Sequence, residues 1–172
     1  LVGPAVDEVD AIREALLNAE KKHQLVSSMK KYVGYGGIIH NFKNYVIRGN
    51  IKYEKKIIEQ YDLLISKIKE YKSLKAVSPA ELALLDDIQK VFTKYYNGLP
   101  RVVEAVNNGT PVKQLDKVVK VSDGPAVSAL HKLGSSLFSV ESEYWFKTIT
   151  AKINLLKKID DYLAKELITS ID

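Results

Sequence analysis

Apolar residues recur at steps of three and four through most of the chain, the period of an α-helix that buries one stripe. Val6, Val9, Ile12, Leu16, Ala19, Val26 and Val33 open the pattern. Its register continues through His23, Lys30, Gly37, His40, Asn44 and Ile47, predicting one coiled-coil-like helix over about 5–48, roughly 66 Å long. Gly49-Asn50 ends it, with Gly suited to a C′ position and Asn to an N-cap. Ile51, Ile57, Tyr61, Leu64, Ile68 and Tyr71 then predict a shorter helix over about 51–74 that doubles back. Ser78-Pro79-Ala80-Glu81 has the pattern of a capping box with Pro at N1, and opens a helix over about 79–107. The stripe of that helix, Leu85, Ile88, Phe92, Tyr95, Leu99, Val102 and Val106, keeps its register across Gly98 and Pro100. A kinked helix is therefore expected there in place of two separate ones. Residues of the connection at about 111–121 are expected to be a short helix or irregular. After Ser122-Asp123-Gly124-Pro125, Leu130, Leu133, Leu137, Val140 and Tyr144 form a stripe. It shifts by one residue to Trp145, Ile149, Ile153, Leu156, Ile159, Leu163 and Leu167, predicting a long last helix over about 124–170.

Two long helices around two shorter ones imply an all-α fold, an elongated antiparallel four-helix bundle forming a single domain over 1–172. Alternating directions would place both termini at one end and the glycine-rich stretch around Gly34, Gly36 and Gly37 at the other.

Composition narrows this picture modestly. The 172 residues suffice for one domain with a core. The formal charge of +5 comes from Lys scattered among Asp and Glu, without a basic arm, so no nucleic-acid partner is expected. With no cysteine, disulfides and thiol chemistry are excluded. No apolar run approaches the ~18 residues of a membrane span. The chain starts at Leu1 and its one methionine, Met29, sits within the first helical pattern, so it is expected to be part of something longer.

Catalytic motifs are sparse. His23, His40 and His131 are far apart and lack the His-Glu-x-x-His spacing of a zinc site. Gly34-Tyr-Gly-Gly37 follows no strand and does not fit a phosphate loop. No enzyme activity, metal or cofactor is expected. One edge does stand out. Beside the stripe of Tyr35, Ile39, Phe42 and Val46 run Gly37, His40, Asn41, Asn44 and Arg48, where a solvated face would carry Lys and Glu. Such an edge could fix helix register through internal hydrogen bonds. It could equally line a pocket in which Arg48 grips a carboxylate through two parallel bonds while His40, Asn41 and Asn44 orient it. Tyr35, Tyr95, Arg101 and Trp145, with Tyr96 and Tyr144, are candidates for its walls. The expected ligand is a small molecule, with a carboxylate as one candidate class.

The stretch Gly34-Tyr-Gly-Gly-Ile-Ile-His-Asn-Phe-Lys-Asn-Tyr-Val-Ile-Arg48-Gly, with the later Val121-Ser-Asp-Gly-Pro-Ala-Val-Ser-Ala-Leu-His-Lys-Leu133, resembles the all-helical extracytoplasmic sensor domains of bacterial transmembrane receptors. These precede chemotaxis, histidine kinase or diguanylate cyclase outputs. The resemblance implies a periplasmic domain between two flanking transmembrane helices of a parent protein, working as a homodimer and passing small-molecule binding along its long first and last helices. The glycines would then permit sliding, so that their replacement by Ala alters signalling more than folding. A different class is also open. His40-Asn41-Phe42-Lys43-Asn44 resembles the phosphoacceptor box of some histidine kinases, and His131-Lys132-Leu133-Gly134-Ser135-Ser136 that of histidine-phosphotransfer bundles. Those alternatives are a phosphotransfer or dimerisation bundle of a two-component system, or a structural bundle that binds only protein.

Overall fold

The computed structural model describes the backbone of residues 3–169 and the side chains of 10–115, 117–135, 146–165, 167 and 168. The chain is all-helical, with six helices and no strand among the described residues: α1 (Gly3–Val33), α2 (Ile38–Arg48), α3 (Ile51–Lys72), α4 (Pro79–Asn107), α5 (Val112–Val118) and α6 (Gly124–Thr169). Two compact units divide it, one made of Leu1–Ala19 and Leu137–Asp172, the other of Glu20–Ser136.

The core of the 20–136 unit draws on most of the stripes read as facing inward, but on α1 Leu25 and Met29 take the place of the seam positions His23 and Lys30, which are exposed, as are Ile47 and Ile51. Leu25, Val26, Met29 and Val33 of α1 are buried, as are Ile57, Leu64, Ile68 and Tyr71 of α3. So are Leu85, Ile88, Phe92, Leu99 and Val102 of α4, and Ala126, Ala129, Leu130 and Leu133 of α6. The Ser78–Glu81 capping box is formed: the Ser78 hydroxyl accepts from the Glu81 N–H at 3.1 Å, and the Ser78 N–H donates to Glu81 Oε2 at 2.7 Å. Gly49 is left-handed at φ 59°, and Asn50 accepts from the Lys52 N–H at 3.0 Å. Helix α4 runs unbroken through Pro100, whose missing N–H leaves the Tyr96 carbonyl without its α-helical donor.

In the other unit every described side chain from Lys152 to Ile168 is exposed, among them Ile153, Leu156, Ile159, Leu163 and Leu167. No helix among the described residues is long and apolar enough to cross a membrane.

One expectation is overturned. The first helix is not continuous to Arg48; it ends at Val33 and restarts at Ile38. Gly36 adopts φ 76°, a region L-residues with a Cβ avoid. A Cβ on Gly37 would lie 2.3 Å from the Tyr32 carbonyl oxygen. The glycines allow the chain to step out of one helix and into the next. Replacing them must disturb folding.

Helix α1 is tied to the α3–α4 turn by a buried charge. Lys22, 7% exposed, donates to Glu81 Oε1 and Oε2 at 2.9 and 3.1 Å and to the Ala76 carbonyl at 2.9 Å. The Tyr71 hydroxyl donates to the same Glu81 Oε1 at 2.6 Å. Burial alone would raise the Glu81 carboxyl pKa, but hydrogen bonds from the Ser78 N–H, Tyr71 and Lys22 outweigh it and hold it below the ordinary value.

Two predictions follow from this packing. Gly37→Ala should lower unfolding free energy by about 2 kcal/mol or more, whereas Gly124→Ala, with its nearest neighbouring atom 4.0 Å from the new Cβ, should change it far less; urea denaturation compares them. Because the folded pKa of Glu81 is depressed, its stabilisation is present above the ordinary carboxylate range and is lost as pH falls through the folded value. Glu81→Gln should thus cost about 2 kcal/mol at neutral pH, and its deficit relative to the parent should shrink as the urea titration is repeated below about pH 4.

Candidate functional site

Two amides meet the carbonyls at the break between α1 and α2, where the Gly37 carbonyl also accepts from the Asn41 backbone N–H at 2.9 Å. Asn41 Nδ2 donates to the Gly36 carbonyl at 2.8 Å, to the Gly37 carbonyl at 3.0 Å and to Gln60 Oε1 at 2.9 Å. Gln60 Nε2 donates to the same Gly36 carbonyl at 2.8 Å. With two hydrogens for three acceptors, the Asn41 amide shares one of them. Asn41 is 3% exposed, so this amide pins the break to α3 and is not a ligand-facing group.

The remaining predicted site residues disperse. His40 is half-buried and lies against Tyr35, ring centroids 4.7 Å apart, while Tyr35 itself is 94% exposed. Asn44 donates to the His40 carbonyl one turn back at 3.0 Å. Arg48 is exposed and engages Tyr53, donating to its hydroxyl at 3.2 Å with the guanidinium 6.0 Å from the ring centre. Tyr95 is buried between Phe42 and Phe92, and burial, with the nearby Asp123 carboxylate, pushes its hydroxyl pKa up to about 12. Arg101 is exposed. The side chain of Trp145 lies outside the described residues. Tyr35 and His40 meet; the edge as a whole does not converge on a carboxylate site.

A cleft of about 550 Å³ opens elsewhere, between the first turns of α3 and the last three turns of α4, within the usual size of a small-molecule site. Its apolar wall is Ile58, Leu99, Pro100 and Val103. Tyr96 stands at its side, backed by Tyr61 in a stacked pair with centroids 4.3 Å apart and planes at 16°. Its polar groups are Glu54, Glu104, Asn107 and Asn108. Of the described candidates, Tyr96 alone lines it; Tyr35, His40, Asn41, Asn44, Arg48, Tyr95 and Arg101 do not.

The electrostatics of this cleft are one-sided. Glu54 interacts with the Tyr45 hydroxyl, which burial first and the Glu54 carboxylate second raise above its ordinary pKa. Glu54 Oε2 is fully buried and accepts no hydrogen bond among the described residues. Helix α4 ends here at Asn107 with no basic side chain in its last turn, so its negative dipole end is uncompensated. Among the described residues no Lys or Arg lines the cleft, in a chain that carries a net +5.

No family model, curated protein or solved structure matches the chain. The cleft is therefore judged on its own chemistry. Among the described residues, no three His, Asp or Glu side chains are grouped to hold a metal ion. Sequence reading singled out Tyr96 and the Pro100 turn but not their neighbours. The missed signal was a second stripe on α4, Tyr96, Pro100, Val103, Glu104 and Asn107, spaced by four, three or four, and again three or four, facing Glu54 and Ile58 four apart on α3.

Asn41→Ala should lower unfolding free energy by about 1–2 kcal/mol, since it leaves Gln60 Oε1 without its donor and takes one of two donors from each glycine carbonyl. Arg48→Ala, on an exposed side chain, should stay within about 0.5 kcal/mol. Thermal denaturation of the two variants side by side distinguishes a structural pin from a solvent-facing cation.

Proposed function

We propose that this chain is the ligand-sensing module of a bacterial transmembrane receptor, held on the extracytoplasmic, periplasmic side between flanking transmembrane helices. What supports this reading above all is the cleft between α3 and α4, an apolar pocket with a few convergent polar groups on a well-packed helical frame. With α1 and α2 taken as one interrupted helix, the chain reads as an elongated antiparallel four-helix bundle of α1–α2, α3, α4 and α6. A small molecule in the cleft would bias the packing of α3 on α4, a small helix displacement of the kind that signalling bundles use. Helices α1 and α6 contribute to both compact units and would carry that bias onward. The exposed Ile153, Leu156, Ile159, Leu163 and Leu167 of α6 support a homodimer in this scheme, because a monomer rarely leaves so much contiguous apolar surface in water.

A thermal-shift panel of amino acids, organic acids, amines and nucleobases tests the reading. A true ligand at a hundredfold excess over its Kd should add about 2.7 kcal/mol of apparent stability, a rise of several degrees in a domain of this size. A panel in which no compound of any class raises the Tm overturns the proposal.

A further inference from the structure

We infer that the outer face of α2, with the first turns of α3 beside it, docks an acidic surface of a partner protein. The α3–α4 cleft plays no part in this, so the inference goes beyond the sensing reading and stands apart from it. It starts from a separation of charge. The 20–136 unit holds 20 Lys and Arg against 11 Asp and Glu, a net of +9, whereas the remainder of the chain holds 6 against 10, a net of −4. Within the basic unit, one stretch concentrates the surplus. From Lys43 to Lys56 there are five exposed cations, Lys43, Arg48, Lys52, Lys55 and Lys56, and one acid, Glu54, which engages Tyr45. Helix α2 itself has no acid.

Packing brings these cations to a common surface. Lys56 is one turn from both Tyr53 and Gln60, through which α3 meets Arg48 and Asn41 of α2, so it borders the α2 contact. Lys52, a further turn back, comes within 5.0 Å of the Tyr53 ring centre, and Arg48 within 6.0 Å of the same ring. One tyrosine thus holds a cation from each helix. Lys43 and Ile47 share the exposed edge of α2. Ile47 and Ile51, 62% and 61% exposed, stand on either side of the Gly49-Asn50 turn among the cations.

Folding does not call for this arrangement. Lys52 lies in the first turn of α3, where the helix dipole disfavours positive charge. Lys52 and Lys56 are like charges one turn apart, which is also unfavourable. Among the described residues none of the five cations is ion-paired, although Lys21–Glu70, Lys22–Glu81, Lys67–Glu70 and Lys72–Asp86 pair toward the other end of α3. A partner bearing carboxylates relieves both repulsions. Exposed isoleucines flanked by cations have the anatomy of a protein interface, apolar at the centre and charged at the rim, and Arg48 can engage a carboxylate by parallel bonds.

Fluorescence anisotropy on the intact chain tests this with a labelled peptide of repeating Glu-Glu-Leu, against repeating Lys-Lys-Leu and poly-glutamate. The Glu-Glu-Leu peptide should bind, more weakly as salt is raised; poly-glutamate should bind less tightly and the basic peptide not at all. The triple variant Lys43→Gln, Lys52→Gln, Lys56→Gln should weaken the Glu-Glu-Leu complex about tenfold and leave the urea midpoint equal or higher. Removing the same number of charges by Lys69→Gln, Lys90→Gln and Lys132→Gln, outside the face, should change affinity less than about twofold. Ile47→Ser with Ile51→Ser should abolish the preference for Glu-Glu-Leu over poly-glutamate. Equal losses in the two triple variants would reveal attraction to net charge alone and overturn the inference, as would a Glu-Glu-Leu peptide that does not bind. Tighter binding to vesicles containing about one-third phosphatidylglycerol, lost in the first triple variant, assigns the face to a lipid surface and overturns the protein partner. None of these outcomes bears on the thermal-shift panel, which tests the cleft.

Discussion

A helix that stops at Val33 and restarts at Ile38 must find partners for the backbone groups its interruption exposes, and the position of α2 depends on how that is done. Gly36 and Gly37 make the step sterically allowed. Two side-chain amides then stabilise it: Asn41 donates to the Gly36 and Gly37 carbonyls and to Gln60 Oε1, and Gln60 donates to the Gly36 carbonyl. Because Gln60 is on α3, the same bonds that heal the break fasten α2 to α3. From there Tyr45 on α2 reaches Glu54 on α3, so the carboxylate at the cleft is oriented by a helix whose own placement the break determines.

A second polar anchor works at the far end of α3. Lys22 and Glu81 are taken out of water together, and the loss of hydration is offset because the lysine has three protein acceptors and the carboxylate has donors from Lys22, Tyr71 and Ser78. Removing any one member would leave the others buried and unmatched, which is why such a pair specifies a unique arrangement even where an apolar pair would be as stable. The Ala76 residue, held at φ 53°, is part of the same fastening, since its carbonyl accepts from Lys22.

The helical periods, the Ser78–Glu81 cap, the Gly49-Asn50 turn and the continuity of α4 through Pro100 were all legible in the sequence, because each is a local pattern with a local cause. The break at residues 34–37 was not. Stripe positions before and after it stay three or four apart when counted straight through, so periodicity alone carries across a step that glycines permit and distant Gln60 stabilises. Asn41 was read as ligand-facing because its type is unusual on a helix edge; that it turns toward α3 depends on the break. The cleft was harder still. Glu54 and Glu104 look like ordinary solvated acids in a chain rich in charge, and only the antiparallel pairing of α3 and α4 brings them to one place.

The contrast between global and local charge gives the cleft its meaning. A net charge of +5 repels cations at long range, but over a Debye length of about 8 Å in physiological salt the nearby groups dominate. Those groups are Glu54, Glu104 and the end of α4. Glu54 owes its place less to the cleft than to Tyr45, whose hydroxyl it engages across the α2–α3 contact.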